Sequence, residues 1–234
     1  MLFRSHVNNE TGAIQPIAEI AELLANSPVY LHTDAAQGFA KDSALRHQRI
    51  DLISISGHKI CAPKGVGALV VRRRGRERPP LSPLFFGGGQ ERGLRPGTLP
   101  VALIAAFGEA AELWARDSAE RWRSGLEMRR RLLDKLAPLH PAINGDEARC
   151  LPFILNLSIP DWESEAVMEA WSDLVSVSSG AACSSQSYTC SHVLSAMGIA
   201  ADRAAGAIRF SWCHMTKMPD TAAMVDALQG VRSH

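Results

Sequence analysis

Short apolar stretches alternate with one helical pattern along the first third of the chain. "LFRSHV", "VYLHTDAA", "IDLISISG" and "GVGALVVRR" are rich in apolar or β-branched residues and are typical of strands. "QPIAEIAELLAN" has apolar residues at helical spacing, and Pro16 suits a first helical turn. Because strands separated by helices form parallel sheets, the pattern predicts an α/β fold on a mostly parallel sheet.

A loop and a long helix follow these strands. Seven of the sixteen residues in "FFGGGQERGLRPGTLP" are Gly or Pro, which predicts a loop. The next stretch, from about Val101 to Leu136, is rich in Ala, Glu, Leu and Arg and predicts a helix between two domains.

A second set of elements begins after Pro138. "CLPFILNLSIP", "VSVSSG" and "AIRFSW" are typical of strands, whereas "ESEAVMEAWSDL" and "DTAAMVDALQGV" are typical of helices. These elements predict a small α+β domain. We therefore expect a first domain over residues 1–120 and a second over residues 121–234.

The charge balance excludes some classes of partner. The chain has 25 basic and 24 acidic residues, which gives no support for nucleic acid or an anionic membrane as the main partner. We interpret the basic run "RRRGRER" as a solvated turn. The five cysteines are odd in number and scattered, and the N-terminus is too polar for a secretory signal, so we expect a reducing, cytoplasmic setting.

Three polar clusters, "NNETG", "HTDAAQG" and "SGHK", follow predicted strands, at the ends where α/β sheets bind ligands. "HTDAAQ" supplies Asp34, and "SGHK" supplies Ser56, His58 and Lys59. A pyridine cofactor needs a lysine amine for a Schiff base, an aspartate at the ring nitrogen, and hydroxyl or imidazole groups for its phosphate. The four residues provide that set, although a lone lysine is more often a surface residue.

Five segments, in this order, resemble the signatures of one family. They are "HVNNETG", "HTDAAQ", "SGHK" with "PKGVGAL", "GGGQERGLRPGT" and "SSGAACSS". The chain is similar over nearly its whole length to cysteine desulfurases of the NifS/IscS type in the class V aminotransferase family. The resemblance implies the α/β fold of type I enzymes that depend on pyridoxal 5′-phosphate (PLP), followed by a small α+β C-terminal domain.

The resemblance also implies roles for individual residues. Lys59 forms the Schiff base with PLP, Asp34 pairs with the pyridine nitrogen, and Gln37 hydrogen-bonds the phenolic oxygen. Ser56 and His58 hold the phosphate. The remaining implied residues are Asn9, near the phenolic oxygen and the substrate; Thr98, which reaches the cofactor of the other subunit of a homodimer; and Arg209, which binds the substrate carboxylate.

Cys183 is the candidate nucleophile. A lone cysteine is usually a small buried apolar residue, but "SSGAACSSQS" consists of small polar residues and predicts an exposed, mobile stretch. In the family this position receives sulfur as a persulfide. Cys183, Cys190, His192 and Cys213 fit no tight zinc spacing, so we expect no metal.

The implied reaction converts L-cysteine to L-alanine and leaves a persulfide on Cys183. The sulfur would serve iron–sulfur cluster assembly or sulfuration of another cofactor or a nucleic acid, through an acceptor protein that docks near Cys183. On this interpretation residues 1–120 are the C-terminal part of the large PLP-binding domain, and residues 121–234 carry the mobile cysteine.

The sequence departs from the family pattern at its start. Family members carry a long further segment before "NNE", with a phosphate-binding turn and a histidine stacked on the pyridine ring. We therefore expect a sheet with an exposed edge and exposed apolar side chains. Two alternatives stay open: a truncated, inactive or complementing fragment, and a selenocysteine lyase or other PLP enzyme of the same fold.

Overall fold

The computed structural model describes residues 1–179 and 191–231. The contacts divide the chain into two compact units. The first consists of Met1–Val7 and Gln15–Ser118, and the second of Asn8–Ile14 and Ala119–His234. The short segment Asn8–Ile14 therefore belongs to the second unit, although it lies near the start of the sequence.

The first unit contains a four-stranded sheet in the order β1-β2-β3-β4. β1 and β2 are parallel, as are β2 and β3, whereas β4 runs antiparallel to β3. The sheet is thus mostly parallel, as the sequence predicts. Its strands are β1 (Leu2–Ser5), β2 (Leu31–Asp34), β3 (Leu52–Ser56) and β4 (Gly67–Val71).

The two faces of this sheet differ in chemistry because side chains alternate along each strand. Leu31 of β2 and Ile53 and Ile55 of β3 are buried in an apolar core, where Ile17 and Ala21 of α1 (Ile17–Leu23) join them. The opposite face carries polar side chains of β2 and β3. One face therefore stabilises the fold while the other is available for chemistry.

The two outer strands of this sheet expose apolar side chains. Phe3 of β1 is 49% exposed and Leu69 of β4 is 48% exposed. The expected exposure of apolar side chains at the sheet is therefore observed at these two residues.

The amino ends of β2 and β3 are joined by a buried ion-pair cluster. Asp51 is 2% exposed and accepts hydrogen bonds from Arg49 Nη1 at 2.6 Å, Arg74 Nε at 2.7 Å and the Leu31 amide at 2.7 Å. Burial alone would raise the pKa of Asp51, but the Arg74 and Leu31 hydrogen bonds and the charges of Arg49 and Arg74 hold it below its usual value.

The basic run "RRRGRER" is only partly the solvated turn that the sequence suggests. Arg74 binds Asp51, and Arg72 donates to the carbonyl oxygens of His47 and Leu45. These two guanidinium groups are half-buried, while Arg73, Arg76 and Arg78 are exposed. Arg72 and Arg74 therefore connect the end of β4 to the neighbouring loops through hydrogen bonds.

The long predicted helix is present as α2 (Val101–Leu136). Its residues up to Ser118 belong to the first unit and the rest to the second. Among the described residues, no helix combines the length and the apolar character needed to cross a membrane.

The second unit contains an antiparallel sheet in the order β5-β6-β8-β7. Its central strand β6 is buried along its whole length, and its leucines pack with Trp171, Phe210 and Met224 in an apolar core. The elements are β5 (Ala142–Ile143), β6 (Ile154–Ser158), α3 (Ser164–Ala170), β7 (Ser178–Ser179), α4 (His192–Ala196), α5 (Ala201–Ala205), β8 (Ala207–Ser211) and α6 (Thr221–Val231).

Candidate active site

The polar face of the first sheet carries the first group of candidate residues. Asp34 ends β2 and lies beside Ser54 of the parallel strand β3. Its Oδ1 atom accepts the Ala36 amide at 2.9 Å, which fixes the orientation of the carboxylate. His32 lies two residues before Asp34 on the same face and is joined to Ser54 Oγ through its Nε2 atom at 2.8 Å.

The surroundings of His32 disfavour the charged form of its imidazole. Burial lowers the pKa of His32 below its usual value, and the nearby Asp34 carboxylate only partly opposes this effect. The ring also lies against Phe3, with centroids 5.0 Å apart. His32 therefore supplies a hydrogen-bonding group close to Asp34, a position that the sequence did not connect with chemistry.

The "SGHK" segment forms a tight turn at the end of β3. Gly57–Ile60 is a 3₁₀ turn, and the Oγ atom of Ser56, which precedes the turn, lies 3.1 Å from His58 Nδ1. A Cβ atom at Gly57 would lie 2.9 Å from the Val66 carbonyl oxygen, so a larger residue cannot occupy this position without movement. Lys59 lies in this turn and is half-buried.

A tryptophan of α2 supports the same turn. Trp114 is 2% exposed, and its Nε1 atom donates to the carbonyl of Ile60 at 3.1 Å. Because that carbonyl directly follows Lys59, the helix fixes the backbone that carries the lysine. Sequence reasoning missed Trp114, since nothing in a helical apolar pattern shows which carbonyl an indole reaches.

The turn after β2, which carries the half-buried Gln37, is built around a buried histidine. His6 is 0% exposed, and its Nε2 atom lies 2.7 Å from Asp42 Oδ2. A Cβ atom at Gly38 would lie 2.1 Å from His6 Nδ1, so the turn packs directly on the imidazole. The hydrogen bond from His6 holds the pKa of Asp42 below its usual value, since it stabilises the carboxylate.

The donor set in this unit fits a phosphorylated pyridine. Asp34 provides a carboxylate for a ring nitrogen, and Ser56 with His58 provides hydroxyl and imidazole groups for a phosphate. Both groups follow adjacent parallel strands, at the edge where such sheets bind ligands. Lys59 adds an amine at the same edge.

Two further candidate residues belong to the second unit. Arg209 lies on β8, and its Nη1 atom donates to the carbonyl oxygen of Asn9 at 3.1 Å. The Nε atom of Arg209 is buried and has no hydrogen-bond partner among residues 1–179 and 191–231. A buried donor without a partner costs free energy, so this atom is suited to an anionic ligand.

The asparagine before Asn9 has a structural task. Asn8 Oδ1 accepts the amides of Glu10 and Thr11, each at 2.9 Å, and so closes the turn that presents Asn9. In the motif "NNE" the first asparagine therefore shapes the backbone.

The remaining candidates lie in exposed or undescribed parts of the chain. Thr98 is exposed in the loop before α2. Cys183 and Cys190 lie outside the described residues. Of the cysteines described, burial raises the pKa of Cys150, which disfavours its thiolate, while Cys61 is exposed.

The sequence matches one protein family over most of its length. The profile of the family described as "Aminotransferase class-V" matches residues 1–224. A mitochondrial cysteine desulfurase of Drosophila melanogaster is 45% identical over 225 residues, which are 94% of this chain and 48% of the relative. The cysteine desulfurase IscS of Vibrio cholerae is 43% identical over 213 residues, covering 90% of this chain and 52% of the relative.

Solved structures of similar sequence have the same fold. DndA from Streptomyces lividans is 49% identical with a TM-score of 0.78, covering 90% of this chain and 60% of DndA. A NifS-like protein is 30% identical with a TM-score of 0.85, covering 99% of this chain and 60% of that protein. These likenesses confirm the predicted PLP fold of type I.

The chain spans about half the length of the curated relatives it matches. The resemblance to cysteine desulfurases, inferred from five short segments, is confirmed by identities spread over nearly the whole chain. By its sequence and its fold, the chain belongs to the aminotransferase class V family, whose cysteine desulfurases depend on pyridoxal 5′-phosphate.

Proposed function

We propose that the protein is a cysteine desulfurase that converts L-cysteine to L-alanine and transfers the sulfur to Cys183 as a persulfide. The observation that carries the proposal is the convergence of Asp34, Ser56, His58 and Lys59 on the carboxyl ends of two neighbouring parallel strands. The similar proteins of Drosophila melanogaster and Vibrio cholerae are cysteine desulfurases, which supports the same reaction.

The residues of the first unit would hold PLP. Asp34 would bind the pyridine nitrogen and Gln37 the phenolic oxygen, while Ser56 and His58 would bind the phosphate. When bound, PLP supplies an electron sink that stabilises negative charge at the substrate Cα atom. The Lys59 amine would attach the cofactor and, once displaced by the substrate amine, would take the proton from that Cα atom.

The residues of the second unit would bind the substrate. The unpartnered Nε atom of Arg209 supports a role in binding the cysteine carboxylate, because a guanidinium group pairs well with a carboxylate. The Asn9 carbonyl accepts from the same guanidinium and so limits its rotation.

Sulfur transfer would use Cys183 as a thiolate. The thiolate attacks the substrate sulfur, an S–S bond forms, and the Cβ–S bond breaks with its electron pair returning to the carbon skeleton. Protonation of that carbon skeleton gives L-alanine. A free thiol with a pKa of about 8.5 is only a few per cent thiolate at pH 7, so the reaction needs a proton acceptor near Cys183.

The test compares Cys183→Ser with the unchanged chain and with Cys61→Ser, a control at an exposed cysteine. With PLP and L-cysteine, we expect the unchanged chain and Cys61→Ser to release alanine and Cys183→Ser to release none. Alanine release by Cys183→Ser at the unchanged rate without an added thiol would rule out Cys183 as the carrier.

A second outcome would show that the chain is active only together with another polypeptide. An unchanged chain that releases no alanine, and becomes active only with a complementing polypeptide, would support the alternative of a chain that works as part of a larger assembly. The exposed Phe3 and Leu69 on the outer strands of the first sheet support that alternative.

We further infer a homodimer in which Thr98 lies near the cofactor of the other subunit. The segment around Thr98 exposes large apolar side chains, which is typical of an interaction surface. These side chains are Leu84, Phe85, Phe86, Leu99, Val101 and Ile104.

The acceptor of the sulfur would be a protein that docks near Cys183. Iron–sulfur cluster assembly, or sulfuration of another cofactor or a nucleic acid, would consume the persulfide. A cytoplasmic location stays a prediction from the odd number and scattered positions of the cysteines.

A further inference from the structure

We propose that Asn156 is a positioning residue that orients the guanidinium group of Arg209 through the turn at Asn8–Ile14. The inference rests on the proposed function for the ligand of Arg209, the substrate carboxylate, and names a further residue that the site depends on. Asn156, Arg209 and the turn all belong to the second unit.

Asn156 and Arg209 lie side by side on the second sheet. They are direct partners in the pairing of β6 with β8, so their side chains lie on the same face. The neighbouring Leu155 and Leu157 pack in the apolar core on the other face. A buried asparagine is costly unless its amide is hydrogen-bonded, and Asn156 is 1% exposed. The partners of its amide therefore decide its role.

Both residues bind consecutive carbonyl groups of the same turn. Asn156 Nδ2 donates to the carbonyl oxygen of Glu10 at 3.3 Å, and Arg209 Nη1 donates to that of Asn9 at 3.1 Å. Asn8 closes the turn, because its Oδ1 atom accepts the Glu10 amide at 2.9 Å. Only the two rotatable bonds at the Glu10 Cα atom separate the two peptide groups, so a displacement of one carbonyl is passed to the other.

The orientation of the Asn156 amide is fixed by a chain of hydrogen bonds with a single direction. Arg203 Nε donates to Asn144 Oδ1 at 2.8 Å, and Asn144 Nδ2 donates to Asn156 Oδ1 at 2.8 Å. An arginine only donates and a carbonyl oxygen only accepts, so neither amide can be reversed without loss of a bond at one end. The Asn156 Nδ2 atom is therefore held toward the carbonyl of Glu10.

The consequence concerns the remaining donors of Arg209. Its Nε atom is buried and has no hydrogen-bond partner within the described part of the chain. Because Nη1 is bound to the Asn9 carbonyl and the guanidinium group is planar, the direction of Nε follows from that bond. A carboxylate pairs with a guanidinium group through two donors of fixed geometry, so this orientation decides how well the substrate carboxylate fits.

The alternative is that Asn156 only stabilises the second sheet. Ser158 provides a matched control, because it is 3% exposed, lies on the same strand and accepts from Asn144 Nδ2 at 2.8 Å. Ser158→Ala removes a buried hydrogen bond of β6. It leaves in place the bond from Asn144 to Asn156 and the bond from Asn156 to Glu10.

The experiment measures by NMR how fast the Arg209 Nε proton exchanges with water in the full chain, without PLP or L-cysteine. The signal is identified by its loss in Arg209→Lys. We expect Asn156→Ala to raise the exchange rate at least about threefold, since loss of one buried hydrogen bond shifts a local equilibrium by that factor or more. Ser158→Ala should leave the rate unchanged. An unchanged rate in Asn156→Ala, or the same increase in Ser158→Ala, would overturn the inference.

A less disruptive variant serves if Asn156→Ala does not fold. Asn156→Ser keeps a polar atom on β6, but its side chain is too short to reach the Glu10 carbonyl. It should raise the exchange rate of the Arg209 Nε proton by a similar factor. An unchanged rate in this variant would contradict the inference in the same way.

The kinetic consequence concerns substrate binding. In a chain that releases alanine, Asn156→Ala should raise the KM for L-cysteine at least about threefold with a smaller change in kcat, because the carboxylate is bound in the ground state as well as in the transition state. A lower kcat at an unchanged KM would contradict a role at Arg209. A chain that releases no alanine would contradict the proposed function instead. The exchange rates need neither PLP nor substrate and would still decide the inference.

Discussion

Asp51 stabilises the amino ends of β2 and β3, whereas the candidate site residues lie at the carboxyl ends of these strands. It is buried and accepts hydrogen bonds from Arg49, Arg74 and the backbone of β2. Removal of one partner from a buried ion pair leaves uncompensated charge and is far more costly than loss of an exposed pair.

We predict that Asp51→Asn lowers the free energy of unfolding by roughly 3 kcal/mol at pH 7. Because the folded-state pKa of Asp51 is lowered, its contribution is present above the unfolded pKa of about 4 and is lost as pH falls through the folded pKa. Urea unfolding as a function of pH measures both effects, and the variant should lose less stability than the unchanged chain below about pH 4.

Asp134→Asn is the matched control, because Asp134 is 59% exposed and pairs with the exposed Arg130. Its effect should stay within about 0.5 kcal/mol. Equal effects of the two substitutions would contradict the special role of the Asp51 cluster.

Gly57 lies where the neighbouring backbone leaves no room for a Cβ atom. We predict that Gly57→Ala destabilises the chain by about 1–3 kcal/mol, because the added methyl group would lie 2.9 Å from the Val66 carbonyl oxygen. Thermal unfolding measures the loss, and PLP absorbance measures its effect on the turn that carries Lys59.

The control is Gly108→Ala in α2, where a Cβ atom meets nothing within 4 Å. A glycine inside a helix costs about 0.5–1 kcal/mol relative to alanine, so this substitution should stabilise the chain. A stable Gly57→Ala variant with unchanged PLP absorbance would show that the close approach is unimportant.

At the level of elements, one helix supports the turn that carries the proposed catalytic lysine. The indole of Trp114 on α2 donates to the carbonyl of Ile60, while the indole of Trp171 after α3 donates to the carbonyl of Met224 at 2.9 Å. The two buried tryptophans each donate to a backbone carbonyl of their own unit, which makes them a natural pair for comparison.

We predict that Trp114→Phe and Trp171→Phe each lower the free energy of unfolding by about 1–3 kcal/mol, because each removes a buried hydrogen bond and shrinks a buried side chain. Only Trp114→Phe should speed hydrogen exchange of the amides in residues 57–62. Mass-spectrometric hydrogen exchange measures this difference. Unchanged exchange in Trp114→Phe would mean that α2 does not fix the turn.

For the whole molecule, the apolar side chains of residues 84–104 are the strongest indication of assembly. Phe85 is 63% exposed and Phe86 is 86% exposed. Apolar side chains so exposed are a liability in a monomer, so a partner surface is the physical explanation that the proposed homodimer offers.

We predict that Phe85→Ser with Phe86→Ser shifts the chain from dimer to monomer at micromolar concentration, as measured by light scattering. Leu23→Ser is the control, because Leu23 is 86% exposed on α1, outside residues 84–104. A dimer that survives the double substitution, or dissociates equally with Leu23→Ser, would contradict an interface at this segment.

The sequence by itself determined the type and order of the main elements. Periodicity fixes which residues alternate and which recur every turn, so β1–β4, α1 and α2 were predictable. Short motifs fixed the family, because "SGHK" and "HTDAAQ" combine residue types that one cofactor requires. The very short β5, α4 and α5 were not predicted, since a few residues carry too little pattern.

Tertiary structure alone decided which side chains meet. Glu10 and Ser191 are 181 positions apart, and Trp114 and Ile60 are 54 apart, so no local pattern connects them. The hydrogen bond between Arg74 and Asp51 also joins residues far apart in the sequence. The same holds for Asn8–Ile14, which belongs to the second unit although it lies near the start of the chain. Buried polar groups must be hydrogen-bonded, and only the packing of the folded chain decides which donor lies beside which acceptor.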